Sequence, residues 1–221
     1  MRKQVRGIWL PEAEDHLIAH IERGPDFAGA GTYQLWKLQA AFPYIKNFRH
    51  AVDIGAHVGL WSRILARCFA RLTAFEPIEE HRACFQENVR PGQGCEIDLQ
   101  PFALAGADEV LRFAISPEST GGTHVKLEDD GAGPKVVARP LDSFALSQID
   151  FLKIDCEGYE YFILQGAEET VRRDRPCIVV EQKPGKGSMY GLDDRDAVKL
   201  LQSWGAELKF EIAGDFCLVW P

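Results

Sequence analysis

The sequence predicts an α/β fold built on a mostly parallel sheet, and three observations predict it. From Ala51 onward, short apolar runs alternate with amphipathic helical patterns, the mark of strands joined by crossover helices. The stretch "AVDIGAHVGLWS" (51–62) reads as a strand, a tight glycine turn and a helix start. The chain then closes on two β-like runs, "AELKFEIAG" and "DFCLVWP", around a Gly-Asp turn. A link that short cannot join parallel strands, so the sheet takes an antiparallel strand at its end.

Residues 1–48 read as a helical lead-in, "PEAEDHLIAHIER" and "TYQLWKLQAAFPYI", separated by the glycine stretch "GPDFAGAG". Trp36 is expected to pack in the core; Tyr33 and Gln34 are free to cover a ligand, with Gly24 to Gly31 as a hinge. The main domain is assigned to 49–221. Its strands are "HAVDIGA", "RLTAFEP", "CEIDLQPFAL", "DFLKIDCEG" and "PCIVVEQKP". Its helices are "VGLWSRILARCFA", "EEHRACFQENVR", "YFILQGAEETVRR" and "DDRDAVKLLQSWG". Residues 107–140 break the alternation: two strand-like runs, "EVLRFAIS" and "KVVARP", flank a long polar loop. We read a β-hairpin insertion there, with a loop long enough to be functional.

Composition narrows the classes. At 221 residues and a formal charge of −8, the chain holds one well-buried core and lacks the cationic excess of a general nucleic-acid binder. No run approaches the ~20 apolar residues of a membrane span, and the N-terminus carries no secretory pattern. The six cysteines are scattered without metal-ligand spacing, as expected of reduced thiols in the cytoplasm. No metal site is assigned.

The first strand–turn–helix is the default ligand site of an open α/β sheet. Gly55 and Gly59 allow close backbone approach, yet His57 stands where the pyrophosphate fingerprint wants its middle glycine. Asp53, just ahead of the turn, would repel a pyrophosphate but attract an ammonium group. Glu76 ends the next strand, 23 residues on, where one carboxylate can hold a ribose diol. A ligand that offers an ammonium, a carboxylate and a ribose is S-adenosylmethionine. Its adenine would lie near Pro77 and the segment "QPFAL", where Phe102 either stacks or fills the core. An NAD-dependent oxidoreductase and a non-catalytic nucleotide-binding Rossmann protein are the alternatives.

The strings "VDIGAHVGLWS", "AFEP" and "LDSFALSQIDFLKIDCEGYEYFILQGAEETV" resemble the FkbM family of S-adenosylmethionine-dependent methyltransferases, over about Tyr33 to Glu181. The resemblance implies a Rossmann-like class I methyltransferase fold: seven strands, the last antiparallel, with helices on both faces. It also implies methylation of a hydroxyl on a small molecule or carbohydrate. His57 departs from the family's more usual asparagine, which makes the turn a candidate for pH sensitivity.

"FLKIDCEGYE" is a buried strand that ends in Asp155, Glu157 and Glu160. Glu157 and Glu160 suit the first turn of the next helix, and strand alternation is expected to turn Lys153 away from Asp155's neighbours. Methyl transfer to oxygen needs an aligned acceptor and a base for its proton. The candidate catalytic residues are Asp155, His124 in the polar loop, and Glu181 at the following strand end. The candidate cofactor residues are Tyr33, Asp53, Gly55, His57, Gly59, Glu76, Pro77, Phe102 and Asp155. The acceptor and the oligomeric state stay open.

Overall fold

The computed structural model describes residues 1–90, 94–116, 119–128 and 130–221. It opens with a hairpin, β1 (Arg2–Val5) and β2 (Ile8–Pro11), joined by Arg6 and Gly7. Both turn residues have positive φ, 43° and 79°, the two-residue geometry that matches strand twist. The two lead-in helices follow, α1 (His16–Arg23) and α2 (Leu35–Ala41). The lead-in is therefore part strand; its hairpin signal, one glycine between short β-forming runs, was too brief to stand out. Trp36 is 53% exposed and not in the core, because α2 turns Lys37, Leu38 and Ala41 inward.

The main sheet begins with β3 (His50–Ile54), then α3 (Ser62–Cys68), β4 (Arg71–Phe75), α4 (Glu79–Asn88) and β5 (Glu96–Gln100). The run expected to be one strand through Leu104 divides here. After Gln100 the chain leaves the sheet for β6 (Ala103–Leu104), β7 (Glu109–Ala114), β8 (His124–Lys126) and β9 (Lys135–Arg139). These four form a separate sheet in the order β6-β9-β7-β8. The expected hairpin is its β7–β9 pair. Pro117, Glu118 and Asp129 of the expected loop lie outside the described residues.

The chain returns with β10 (Ile149–Ile154), α5 (Glu160–Gln165), α6 (Glu168–Asp174) and β11 (Cys177–Glu181). The single helix expected across 161–173 is two, since Asp142 accepts hydrogen bonds from Glu169 and Thr170 N–H and caps a fresh start. Last come α7 (Asp196–Ser203), β12 (Glu207–Ile212) and β13 (Asp215–Val219). The seven-stranded order is β12-β13-β11-β10-β3-β4-β5. Only β13 runs against the rest, antiparallel to both β11 and β12.

Strand alternation divides the core. Val52, Ile54, Leu152, Ile154, Ile178 and Val180 face one apolar layer, shared with α5, α7 and the small sheet. Ala51, Phe151, Cys177 and Val179 face the other, with α2 and α3. Every residue of β3, β10 and β11 is buried, as parallel strands covered on both faces must be. The lead-in docks through a third cluster in which Ile8, Leu10, Leu17 and Ile21 meet Val58, Leu60 and Cys84. Asn88 seals it, accepting from Trp9 N–H and donating to the Trp9 and Val58 carbonyls.

Gly59 has φ +85°, and a Cβ there would sit 2.4 Å from Val89 Cγ2 and 2.7 Å from Phe85 Cδ2. Gly59→Ala combines left-handed strain with overpacking and is expected to cost on the order of 3 kcal/mol. Denaturant unfolding checks this; an unchanged midpoint would contradict the packing described.

Candidate functional site

The carboxyl ends of β3, β4, β10 and β11 meet beneath the turn that follows β3. Gly55 (φ +76°) carries that turn against β10: a Cβ on it would lie 2.0 Å from the Asp155 carbonyl oxygen. Only glycine permits both the angle and the approach. Gly55 and Ala56 N–H donate to the Phe75 carbonyl. His57, also left-handed at φ 51°, donates its N–H to Glu76 Oε2 at 2.8 Å.

Two clefts flank this turn. The first, about 600 Å³, is mostly apolar and includes Ile54, Phe75, Pro77, Ile78, Phe102 and Val125. The second, about 1030 Å³, is polar and includes Tyr33, Asp53, Lys153, Glu181, Lys183 and Lys186. Gly55, His57, Gly121, Asp155 and Glu157 line both.

Asp53 is fully buried at the floor of the second cleft. Its Oδ2 accepts a 2.6 Å hydrogen bond from Ser62 Oγ. Its Oδ1 has no hydrogen-bond partner among the described residues and lies 3.7 Å from Lys153 Nζ. Burial raises its pKa, against the pull of Lys153. Residues 153 and 155 share a parity, so Lys153 faces Asp155 (3.1 Å) and Asp53 and does not turn away as expected. Burial opposes the ammonium, but Asp155 and Asp53 outweigh it and hold Lys153 charged.

Asp155 and Glu181 form a coupled pair. Burial alone would raise Asp155, yet the Lys153 and Lys183 ammoniums hold it at about 2. Burial and then the Asp155 charge push Glu181 up to about 9. Burial and the Asp155 charge disfavour ionised Glu181 while two ammoniums favour ionised Asp155, and the two acids titrate as one coupled unit. Glu157 joins them, with one ligand atom from each of the three within 4.8 Å of the others. Each acid already carries its own ammonium: Lys153 on Asp155, Lys183 on Glu181 at 2.6 Å, and Lys186 on Glu157.

The remaining expected residues separate. Pro77 and Phe102 line the first cleft, although one face of Phe102 is covered by the Arg139 guanidinium, 4.6 Å from its centroid. Glu76 lines it too, but its carboxylate already accepts from three protein donors: His57 N–H, Ile78 N–H and His81 Nδ1. Of roughly four acceptor positions on a carboxylate, one on Oε2 remains for a ligand hydroxyl. Tyr33 stands in the second cleft, beside Lys183 and Glu181 and not in the apolar cleft; burial raises its phenol to about 12.

Two expected residues lie outside both clefts. Gly59 touches neither cleft, since it is spent on packing against α4. His124 lines neither cleft, because it is Val125 of β8 that points into the first one; His124 Nδ1 meets the Gly122 carbonyl at 3.0 Å. Glu160 does cap the loop ahead of α5, accepting from Cys156 and Gly158 N–H. Thr120 and Gly121 were missed, as no local signal ties a loop to a turn 63 residues away. Lys153 was readable from parity alone.

The sequence model of the FkbM methyltransferase domain matches residues 53–208. A curated relative, "Methyltransferase 1" of Beauveria bassiana (strain ARSEF 2860), is 24% identical over 186 residues, covering 72% of this chain and 73% of that protein. Among solved structures, the crystal structure of methyltransferase FkbM from Methylobacillus flagellatus KT superimposes with a TM-score of 0.50 at 15% identity. The match covers 79% of this chain and 44% of that one. At that identity the likeness is one of fold.

His57 is held neutral: burial, then the adjacent His81, lowers it to about 3. Between that value and the ordinary 6.5, the unfolded chain takes up a proton that the folded chain refuses. This contribution to stability is lost as pH falls below 6.5. In His57→Asn, the slope of unfolding free energy against pH, from about 6 to about 4, should be shallower by up to one proton. Parallel profiles for the two proteins would refute the neutral assignment.

Proposed function

The chain belongs to the FkbM family of S-adenosylmethionine-dependent methyltransferases, and from that premise we propose that it methylates a hydroxyl of a small molecule or carbohydrate. The oxidoreductase alternative does not fit this family. The observation that carries the proposal is the pairing of two joined clefts, one apolar and one lined by alternating carboxylates and ammoniums.

The residues fit the cofactor. Asp53 Oδ1, buried and without a hydrogen bond among the described residues, suits an α-ammonium. The apolar wall of Pro77, Ile78 and Phe102 suits a purine, and Glu76 has one acceptor position left for a ribose hydroxyl. Gly55 and His57, on the shared wall, place both ends of one ligand within reach. When bound, the cofactor supplies an electrophilic methyl on a sulfonium.

The rest is the work of this chain. The polar cleft takes the acceptor, whose hydroxyls find carboxylates and ammoniums on Asp155, Glu157, Glu181, Lys183 and Lys186. Asp155, whose ionised form Lys153 and Lys183 favour, would accept the proton of the acceptor hydroxyl. Glu181, whose ionised form burial and the Asp155 charge disfavour, would position the Asp155 carboxylate as its neighbour. Lys153 offsets that charge from below. Tyr33 and the lead-in exclude water from the acceptor side. His124 has no part in proton transfer, and no helix among the described residues is long and apolar enough to cross a membrane.

Asp53→Asn should weaken S-adenosylhomocysteine binding by about tenfold to a hundredfold, the loss of one charge-assisted contact. Isothermal calorimetry checks it, and unchanged affinity would remove Asp53 from the site. Asp155→Asn should lower turnover by roughly 10²- to 10⁴-fold, the usual worth of a general base, with far less effect on cofactor affinity. His124→Ala should leave turnover within about twofold of the parent. A screen of hydroxylated acceptors with radiolabelled methyl donor reads both. Parent-level turnover in Asp155→Asn would sink the base assignment.

A further inference from the structure

The clefts share a roof, and the roof is tied down from an unexpected place. Residues 119–123 cross above the turn after β3, with a single 3₁₀ turn at Thr120–Gly122. Thr120, Gly121 and Thr123 line the first cleft; Ser119, Gly121 and Gly122 line the second. Thr120 is 3% exposed. Its N–H and its hydroxyl both donate to Glu14 Oε2, at 2.6 and 2.7 Å.

Glu14 is fully buried. It comes from the lead-in, 106 residues away from Thr120, and outside the segment that matches the family. Its other oxygen, Oε1, accepts from Leu17 N–H at 2.8 Å and satisfies the first turn of α1. Both oxygens are therefore engaged, one on α1 and one on the roof. With its proton committed to Glu14, the Thr120 hydroxyl is left to accept, and His57 Nε2 stands 2.8 Å from it. Neutral His57 carries a proton on one nitrogen, so Nε2–H is the donor. His57 N–H in turn donates to Glu76 Oε2. One chain of hydrogen bonds thus runs Glu14–Thr120–His57–Glu76, from the lead-in through the roof to the turn of the site.

We propose that Glu14 is a positioning residue for the cofactor site, acting through Thr120 and His57 to hold the 119–123 roof closed over both clefts. The inference rests on the cofactor reading above. A buried carboxylate with three donors converging on it is well stabilised, and an amide in its place must turn an N–H₂ toward a donor. The link therefore depends on two acceptor oxygens and not on side-chain shape. It explains why the lead-in, which lies outside the matched family segment, is packed onto the site side of the domain.

The test is the release rate of S-adenosylhomocysteine, by stopped flow, from four variants of the full chain: Glu14→Gln, Thr120→Val, Thr120→Ser and the Glu14→Gln/Thr120→Val double. Glu14→Gln and Thr120→Val should each speed release by about tenfold or more. Thr120→Ser keeps the hydroxyl and should match the parent. The double variant should equal the faster single, because both cut the same chain. Hydrogen exchange on the ligand-free proteins adds a readout that needs no cofactor: the Thr120 amide should be protected in the parent and freed in Glu14→Gln. Unchanged release in Thr120→Val, or effects that add in the double, would overturn the proposal, as would an unprotected Thr120 amide in the parent. Should Glu14→Gln fail to fold, Thr120→Val and Thr120→Ser still decide it. A parent that binds no S-adenosylhomocysteine would instead overturn the cofactor reading, and the exchange experiment would still judge the link.

Discussion

One buried ammonium holds the site together. Parallel pairing sets Asp53 of β3 opposite Lys153 of β10, and Asp155 follows two residues on, with the same parity. Two carboxylates drawn into one water-poor space repel, and each raises the other's pKa. Lys153, 6% exposed, stands between them and favours the charged form of each against burial. A second ammonium repeats the device one layer over, where Lys37 of α2 reaches Asp215 of β13 at 2.9 Å. The lower face of the site is thus a row of alternating charge laid across four neighbouring strands and one lead-in helix.

That row divides the labour of the two clefts. Where it ends, toward β4 and the small sheet, the lining becomes apolar. Where it continues, toward β11, carboxylates and ammoniums stand among apolar side chains such as Leu17 and Leu60. The Asp155–Glu181 pair sits on the boundary, and burial combined with mutual repulsion moves the two groups in opposite directions.

The resemblance carried by "VDIGAHVGLWS" and "FLKIDCEGYE" led to the right sheet, the right strand ends and the family. Asp53, Gly55, His57, Glu76 and Asp155 are all found at one place. They were legible because each lies at or just past the carboxyl end of a buried strand, where local pattern and tertiary position coincide. His124 falls outside both clefts for the opposite reason. It belongs to a loop whose path is set by distant partners, and strand alternation within β8 gave the cleft to Val125. Gly59 was legible as a glycine with a purpose, but that purpose was packing on α4, which only the helix arrangement reveals. The pH sensitivity expected of His57 takes a different form: burial holds the ring neutral through the physiological range.

The sequence by itself determined what repeats locally: the alternation of strands and helices, the antiparallel closing pair, the glycine turn and the acids that end buried strands. These follow from periodicity and backbone sterics, which act over a few residues. Tertiary structure alone decided which of those acids are charged, which cleft each serves and what roofs them. Glu14, Thr120 and His57 lie far apart along the chain and carry no shared motif. Their hydrogen bonds exist because the lead-in packs on the α3–α4 side of the domain, and a buried carboxylate must find its donors wherever the fold brings them.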